Sequence, residues 1–152
     1  MNDQLKPNNA EYATAVVASF LRQPAMKEIG ITIIDVKPGF VELEMPFDRR
    51  FTQQHGFIHA GIMTTALDTA CGYAAFSLMP SDAAVLTVEF KTNLIAPAAG
   101  ESFRFRGQVV KSGRTLSVCD GQAFAYHEGR GKLVASMSAT MMAVFQRTGI
   151  HN

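Results

Sequence analysis

The stretch Ala60-Gly61-Ile62-Met63-Thr64-Thr65-Ala66-Leu67-Asp68-Thr69-Ala70-Cys71-Gly72-Tyr73-Ala74-Ala75-Phe76-Ser77-Leu78-Met79 decides the fold. Its Ala, Met and Leu favour helix, no proline interrupts it, and Pro80 with Ser81 and Asp82 closes it, so a helix is predicted over residues 60–79. At about 3.6 residues per turn, Gly61, Thr64, Thr65, Asp68 and Gly72 share one face, while Met63, Leu67, Ala70, Ala74 and Leu78 share another. The second is a core face. The first is a stripe of small and polar residues, which lets another element pack closely.

On the N-terminal side, Val16, Val17, Phe20 and Leu21 fall at helical spacing after Asn8 and Asn9 and before Pro24, which predicts an amphipathic helix over residues 10–22. Residues 31–36 and 40–46 flank Pro38-Gly39, and Val41, Leu43 and Met45 alternate with Glu42 and Glu44, as in a hairpin with one wet face. Residues 48–59 have no clean period and read as a loop, where functional groups often sit. Beyond the helix, four strands are predicted over residues 85–95, 102–111, 115–127 and 133–145, parted by turns at 97–100, 112–113 and 128–131. The last two runs have the length of helices, but their β-branched and aromatic residues and tight turns favour strand. One long helix amid about six antiparallel strands makes an α+β domain in which a curved sheet wraps the helix.

Composition limits what such a domain does. The 152 residues suffice for one core but not two. Only 18% of them are charged against 47% hydrophobic, which leaves apolar surface for another subunit to cover. A net charge of +1, with Lys and Arg scattered singly, lacks the basic footprint of a nucleic-acid binder. Cys71 and Cys119 stand far apart, so neither a disulfide framework nor a thiolate metal site is expected, and a reducing cytoplasm fits. The start of the sequence shows no signal pattern, and no apolar run approaches the ~20 residues of a membrane-spanning helix. A soluble, cytoplasmic protein is the expectation.

Asp68 carries the chemistry of the helix. It is the only Asp, Glu, Lys or Arg between His59 and Asp82, and Asp is a poor helix former. A helix face turned to bulk water usually carries Lys and Glu as well. A carboxylate facing an enclosed pocket instead gains proton affinity by desolvation and becomes a better general base. At the start of the same helix, His59-Ala60-Gly61 offers free backbone N–H groups at the positive end of the helix dipole, which suit a developing oxyanion as well as ordinary capping. His55 and His59 stand four apart, but Gly56 and the loop character argue against a helical metal pair, and no third ligand is evident. Loop packing or substrate contact suits both better. Cys71, one turn from Asp68, has a neighbour that disfavours thiolate, so core packing is its expected role.

The run Gln53-Gln54-His55-Gly56-Phe57-Ile58-His59-Ala60-Gly61, followed by Leu67-Asp68-Thr69-Ala70, resembles the signature of the hotdog-fold acyl-CoA thioesterases of the phenylacetate-degradation (PaaI-like) type. Residues 85–90, Asn93-Leu94-Ile95-Ala96-Pro97-Ala98 and Lys111-Ser112-Gly113-Arg114-Thr115-Leu116 resemble further pieces of that family. The resemblance runs from about residue 28 to residue 145. It implies a hotdog domain over residues 28–148 behind an N-terminal helical extension over residues 1–27, and a homodimer or homotetramer, a dimer of dimers, with sites at the subunit interface.

Carried over by position, it further implies that Asp68 activates water or attacks the thioester, that the Ala60 N–H and the Gln53 amide polarise the carbonyl, and that Thr87 helps hold the water or the carboxylate. The sequence departs from the usual pattern in having His-Ala-Gly for His-Gly-Gly and Gln53 for Asn. A backbone donor survives that Gly-to-Ala change if the local φ is negative, and Gln offers the same amide donors at a different reach. His59 and Gly61 fall among the substrate contacts, and the turn Lys111-Ser112-Gly113-Arg114-Thr115 is placed against the nucleotide end of coenzyme A, with backbone N–H groups exposed at Gly113. No metal or redox cofactor is expected, coenzyme A entering only as part of the substrate. The alternatives are an enoyl-CoA hydratase or dehydratase on the same fold, motivated by His59 near Asp68, and an acyl-CoA-binding module without turnover. Phe57, Ile58, Met63, Phe76 and Met79 are able either to line an acyl tunnel or to fill the core.

Overall fold

The computed structural model describes residues 5–151, so the first four residues of the N-terminal extension lie outside the described part. The elements run α1 (Tyr12–Phe20), α2 (Pro24–Ile29), β1 (Thr32–Lys37), β2 (Phe40–Pro46), a 3-10 turn (Arg49–Phe51), α3 (Ala60–Phe76), β3 (Ala83–Leu94), β4 (Ser102–Ser112), β5 (Leu116–His127) and β6 (Arg130–Phe145). All six strands form one antiparallel sheet in the order β1-β2-β4-β5-β6-β3. The helix α3 packs against β2 through β6, which is the predicted α+β arrangement of a sheet wrapped around a central helix.

Alternation drives this packing. On β2, Val41, Leu43 and Met45 are fully buried, while Glu42 and Glu44 face the other way and pair with Arg106 and Arg104. Those arginines lie half-buried, Arg106 over the ring of Phe124 and Arg104 over that of Tyr126. The helix meets the sheet at backbone distance: a Cβ on Gly107 of β4 would fall 2.3 Å from the carbonyl of Ala70, so only glycine fits there. On α3 itself, Met63, Leu67, Ala70, Ala74 and the following Leu78 are buried, and Gly61, Thr64, Thr65, Asp68 and Gly72 keep some exposure. The two predicted faces are therefore the two observed faces.

Several boundaries differ from expectation for local reasons. The N-terminal helix ends at Phe20, and Pro24 opens α2 rather than merely following a helix end, because the first helical position needs no N–H. Gly30, in the left-handed region at φ 81°, closes it. The Tyr73 hydroxyl anchors these helices to α3 through Ser19 Oγ and Gln23 Nε2, each at 3.0 Å. The central helix stops at Phe76 instead of 79. There the Ser77 hydroxyl donates to the Ala74 carbonyl and accepts from the Gly39 N–H, tying the helix end to the β1–β2 turn. Strand β6 starts at Arg130 rather than 133, since Glu128 and Gly129, both at positive φ, make a two-residue hairpin turn.

The outer strands of the sheet are β1 and β3, and they differ. Both have a register break, β1 between Ile33 and Asp35 and β3 between Thr87 and Glu89, but β1 is six residues long whereas β3 runs for twelve and exposes Val88, Phe90 and Leu94 at 52%, 45% and 58%. A long apolar edge of this kind is a template for pairing with another strand. It lies alongside the polar stripe of α3, with Thr87 against Asp68 and Thr92 against Thr64.

Candidate active site

The first turn of α3 leaves one backbone donor over. His59 is the N-cap: its Nδ1 accepts the Gly61 N–H at 2.9 Å, and its carbonyl accepts from Ile62 and Met63. The Ala60 N–H has no partner among the described residues. Ala60 is also absent from the residues at positive φ, so the alanine keeps its donor in ordinary helical geometry. His59 and Gly61, expected at the substrate, thus spend their facing groups on each other. The cap also places the imidazole proton on Nε2, since Nδ1 is the acceptor.

Gln53 stands in the same neighbourhood. Its N–H donates to the Phe57 carbonyl at 2.8 Å, and its side-chain Oε1 accepts the His55 N–H, so the loop that looked featureless is a hydrogen-bonded turn. Oε1 is engaged, while Nε2 has no hydrogen-bond partner among the described residues. Gln53 and Ala60 both border one cavity of about 470 Å³.

Further along α3, Asp68 is half-buried and Thr87 on β3 donates its hydroxyl to Oδ1 at 2.8 Å. Burial pushes the Asp68 carboxyl above its ordinary value of 3.8, and the Thr87 hydrogen bond partly offsets that. One turn back, Thr64 faces Thr92 of β3 at 3.4 Å between hydroxyl oxygens. A line of hydroxyls and one carboxylate therefore follows the cleft between α3 and β3, of which Thr92 is the member that the sequence did not announce.

Ala60 and Asp68 are eight positions apart on one helix, which separates them by about 12 Å along the axis. One thioester carbonyl cannot meet both within a single chain. Both nevertheless lie beside the unpaired strand β3: Ala60 borders a cavity with Leu94 and Ile95 at its end, and Asp68 bonds Thr87 within it.

The turn at residues 111–115 lies level with Asp68 across the sheet: Thr87 pairs with Met141, Met141 with Ser117, and Ser117 with Ser112. Three strand spacings of ~4.8 Å put it about 14 Å from Thr87. Lys111 and Arg114 are exposed and form no ion pair among the described residues. Ser112 and Thr115 flank them. Gly113 corrects one expectation, because its N–H is not free but donates to the Leu116 carbonyl at 2.8 Å. A side chain there would meet that same oxygen at 2.7 Å, so the glycine serves the turn.

Phe57, Ile58 and Met63 line the cavity beside Gln53, whereas Phe76 and Met79 are buried away from it. Cys71 is fully buried, and burial pushes its thiol far up, which suits core packing. The cavity's far wall runs from Leu94 to Ala98, within a stretch that resembles the family, and includes Val134, which the sequence did not signal because the bulge that holds it has neither Gly nor Pro. Among the described residues no helix is long and apolar enough to cross a membrane.

Comparison with known proteins places this architecture. A family profile described as the thioesterase superfamily matches residues 55–132, just over half of the chain. A thioesterase family protein from Silicibacter pomeroyi has a solved structure that matches with TM-score 0.87 and 57% identity, over 88% of this chain and 98% of that one. The PaaI protein of the E. coli phenylacetic acid degradation operon matches with TM-score 0.79 at 22% identity, over 90% and 96% of the two chains, and so shares the fold. A Saccharolobus solfataricus protein provisionally named an esterase is 29% identical over 109 residues, 72% of this chain and 75% of its own. The chain belongs to the thioesterase superfamily and is a thioester hydrolase of the hotdog fold.

Proposed function

We propose that the protein hydrolyses acyl-CoA to the free acid and CoA in the cytoplasm, at sites composed from two copies of the chain. One observation carries the reading. A half-buried carboxylate and an unspent helix-terminal N–H stand on the one helix α3, too far apart to act together in one chain and beside a strand edge that invites a second. Antiparallel pairing of β3 with its twofold copy would bring the Asp68 of one chain toward the Ala60 of the other. Two sites per dimer follow, and a dimer of dimers remains compatible with them.

In this arrangement the thioester oxygen lies against the Ala60 N–H and the Gln53 Nε2. Asp68, oriented by Thr87, takes a proton from water as the water oxygen attacks the carbonyl carbon. The tetrahedral oxyanion collapses and expels the CoA sulfur, which leaves as a thiolate of pKa roughly 8.5 and needs no dedicated acid. The proton held by Asp68 returns to solvent or to the thiolate. Direct attack by the Asp68 carboxylate, through an anhydride that water then opens, uses the same groups. Neither route requires a metal or a redox cofactor. Lys111 and Arg114, unpaired at the β4–β5 turn, supply cations for the nucleotide phosphates of the same substrate.

The test is release of CoA thiol from short, medium, long and aromatic acyl-CoAs by the wild type and by Asp68→Asn, both at the same oligomeric state. Hydrolysis by the first and a loss of about 10²–10⁴ in the second is the expected result. Silence of the wild type on every thioester would overturn it. Hydration of an enoyl-CoA that survives Asp68→Ala but not His59→Ala would replace it with a hydratase.

A further inference from the structure

The cavity bordered by Gln53 and Ala60 has walls that the hydrolysis reaction does not use. Its volume of about 470 Å³ falls within the ~300–1,000 Å³ of small-molecule pockets. One side is Phe57, Ile58 and Met63, and the other is the segment from Leu94 through Pro97. At the back, Val134 is the extra residue of a bulge on β6, where the pairing of β5 steps from Ala123 opposite Ala135 to Phe124 opposite Leu133. The Val134 carbonyl accepts from both Ile95 and Ala96, at 2.8 and 3.2 Å, and so turns the chain after β3 away from the sheet. The Ile58 N–H then donates to the Ala98 carbonyl at 3.1 Å, pinning this segment to the loop before α3. The walls are held by backbone bonds and do not depend on a ligand for their shape.

The chemistry of the lining is one-sided. Gln53 is the only lining residue with a side-chain nitrogen or oxygen. The carbonyls of Val134 and Ala98 are already used, and beyond Gln53 no side-chain nitrogen or oxygen of the lining is left to pair with a hydroxyl, amine or carboxylate. Space exists because four of the lining positions are alanines, and at three of them, Ala96, Ala98 and Ala135, larger side chains would fill the cavity.

We infer that this cavity holds the acyl group as an unsubstituted aliphatic chain of medium length, with Ala98 and Ala135 setting its limit. The inference rests on the thioesterase reading above and names its substrate class. A cavity of about 150 Å³ accommodates a benzene ring, so the present one is about threefold too large for a single aromatic ring. With part of it given to the thioester head and the open mouth, the room left suits an aliphatic chain of medium length. A polar group at the far end of the chain would be buried without a partner.

The test compares kcat/KM for butanoyl-, octanoyl-, dodecanoyl-, palmitoyl-, benzoyl- and ω-hydroxydodecanoyl-CoA. Octanoyl or dodecanoyl is expected to lead, with benzoyl and the ω-hydroxy chain each down by about tenfold or more. Ala98→Leu and Ala135→Val, introduced separately and checked for oligomeric state, should each lower the dodecanoyl-to-butanoyl ratio by about tenfold. Met63→Ala should raise the palmitoyl-to-dodecanoyl ratio. Hydrolysis that favours butanoyl, benzoyl or the ω-hydroxy chain, or ratios unmoved by all three variants, would overturn the inference while leaving the thioesterase intact. If no thioester is cleaved, the reaction assignment fails and calorimetry with dodecanoic acid decides the cavity: binding by wild type that Ala98→Leu weakens supports it, and no binding overturns it.

Discussion

The Thr87 hydroxyl donates to Asp68 Oδ1 across 2.8 Å, joining the single charge of the central helix to the unpaired edge strand of the sheet. Desolvation raises the Asp68 pKa, and this bond is the opposing influence. A base must be ionised to act, so the rate should rise with pH through a limb above the ordinary 3.8. Thr87→Val removes what holds the pKa down, and the limb should move to higher pH. The kcat/KM profile reports this for the free enzyme, with a fall of about tenfold at neutral pH, the order of one hydrogen bond to a charged group. Thr87→Ser keeps the hydroxyl and should restore the wild-type limb. An unmoved limb in Thr87→Val would separate Asp68 from the titration.

The Ala60 N–H can be deleted without disturbing the helix. Ala60 is the first helical residue, where proline is welcome, and His59 before it is already extended at φ −60° and ψ 138°, as a residue preceding proline requires. Since no described group accepts from the Ala60 nitrogen, Ala60→Pro removes only a donor to substrate. It should lower kcat by about 10²–10³, the usual effect of one oxyanion donor, and leave the thermal midpoint nearly unchanged. A variant of normal activity would show that the carbonyl is polarised elsewhere.

Much of this site was legible because it rests on local periodicity. The isolation of Asp68 among uncharged neighbours, the spacing that puts it on the stripe with Gly61 and Thr64, and the helix start at Ala60 all follow from residues within a few turns. What stayed hidden depends on partners distant in sequence. The Ser77 bond to Gly39, which helps end α3 early, joins positions 38 residues apart, and the Val134 bulge that shapes the cavity arises from a register shift that no turn residue marks. Gly113 misled for a related reason. Its glycine suggested an open N–H, but the acceptor that takes it, the Leu116 carbonyl, is brought there by the hairpin closing.

A carboxylate pushed up by burial is a liability to the fold. Below the unfolded-state value near 3.8, Asp68 is protonated in both states and costs nothing. As pH rises through the folded-state value, the folded chain must ionise a desolvated group and loses stability relative to a variant that cannot ionise. Asp68→Asn should therefore melt higher than wild type at neutral pH, by about 2–4 °C for each kcal/mol relieved, and the gap should close toward pH 4. Calorimetry across that range checks the sign. A gap that widens on acidification would mean the folded carboxylate is stabilised, not strained.

Lys111 and Arg114 are free to meet phosphates. Their joint replacement by Ala should raise KM for acyl-CoA about tenfold with little change in kcat, and high salt should erase the difference. The same variant should treat an acyl-N-acetylcysteamine thioester, which lacks the nucleotide, as wild type does. Equal losses on both substrates would assign the turn to folding rather than to CoA.

The separation of Ala60 from Asp68 makes the composite site testable without any structure of the assembly. Asp68→Asn and Ala60→Pro each inactivate every site of their own homodimer, whichever way the sites are built. When the two variants are unfolded and refolded together, or co-expressed, about half of the dimers are mixed. If one chain supplies the N–H and the other the carboxylate, each mixed dimer has one site with both groups intact and one with neither. Activity should then return to about a quarter of wild type. If both groups act within a single chain, every site in the mixture carries one lesion and no activity returns. Adding Val88→Lys to both chains, which places a charge on the exposed edge of β3, should abolish the recovered activity and the dimer together.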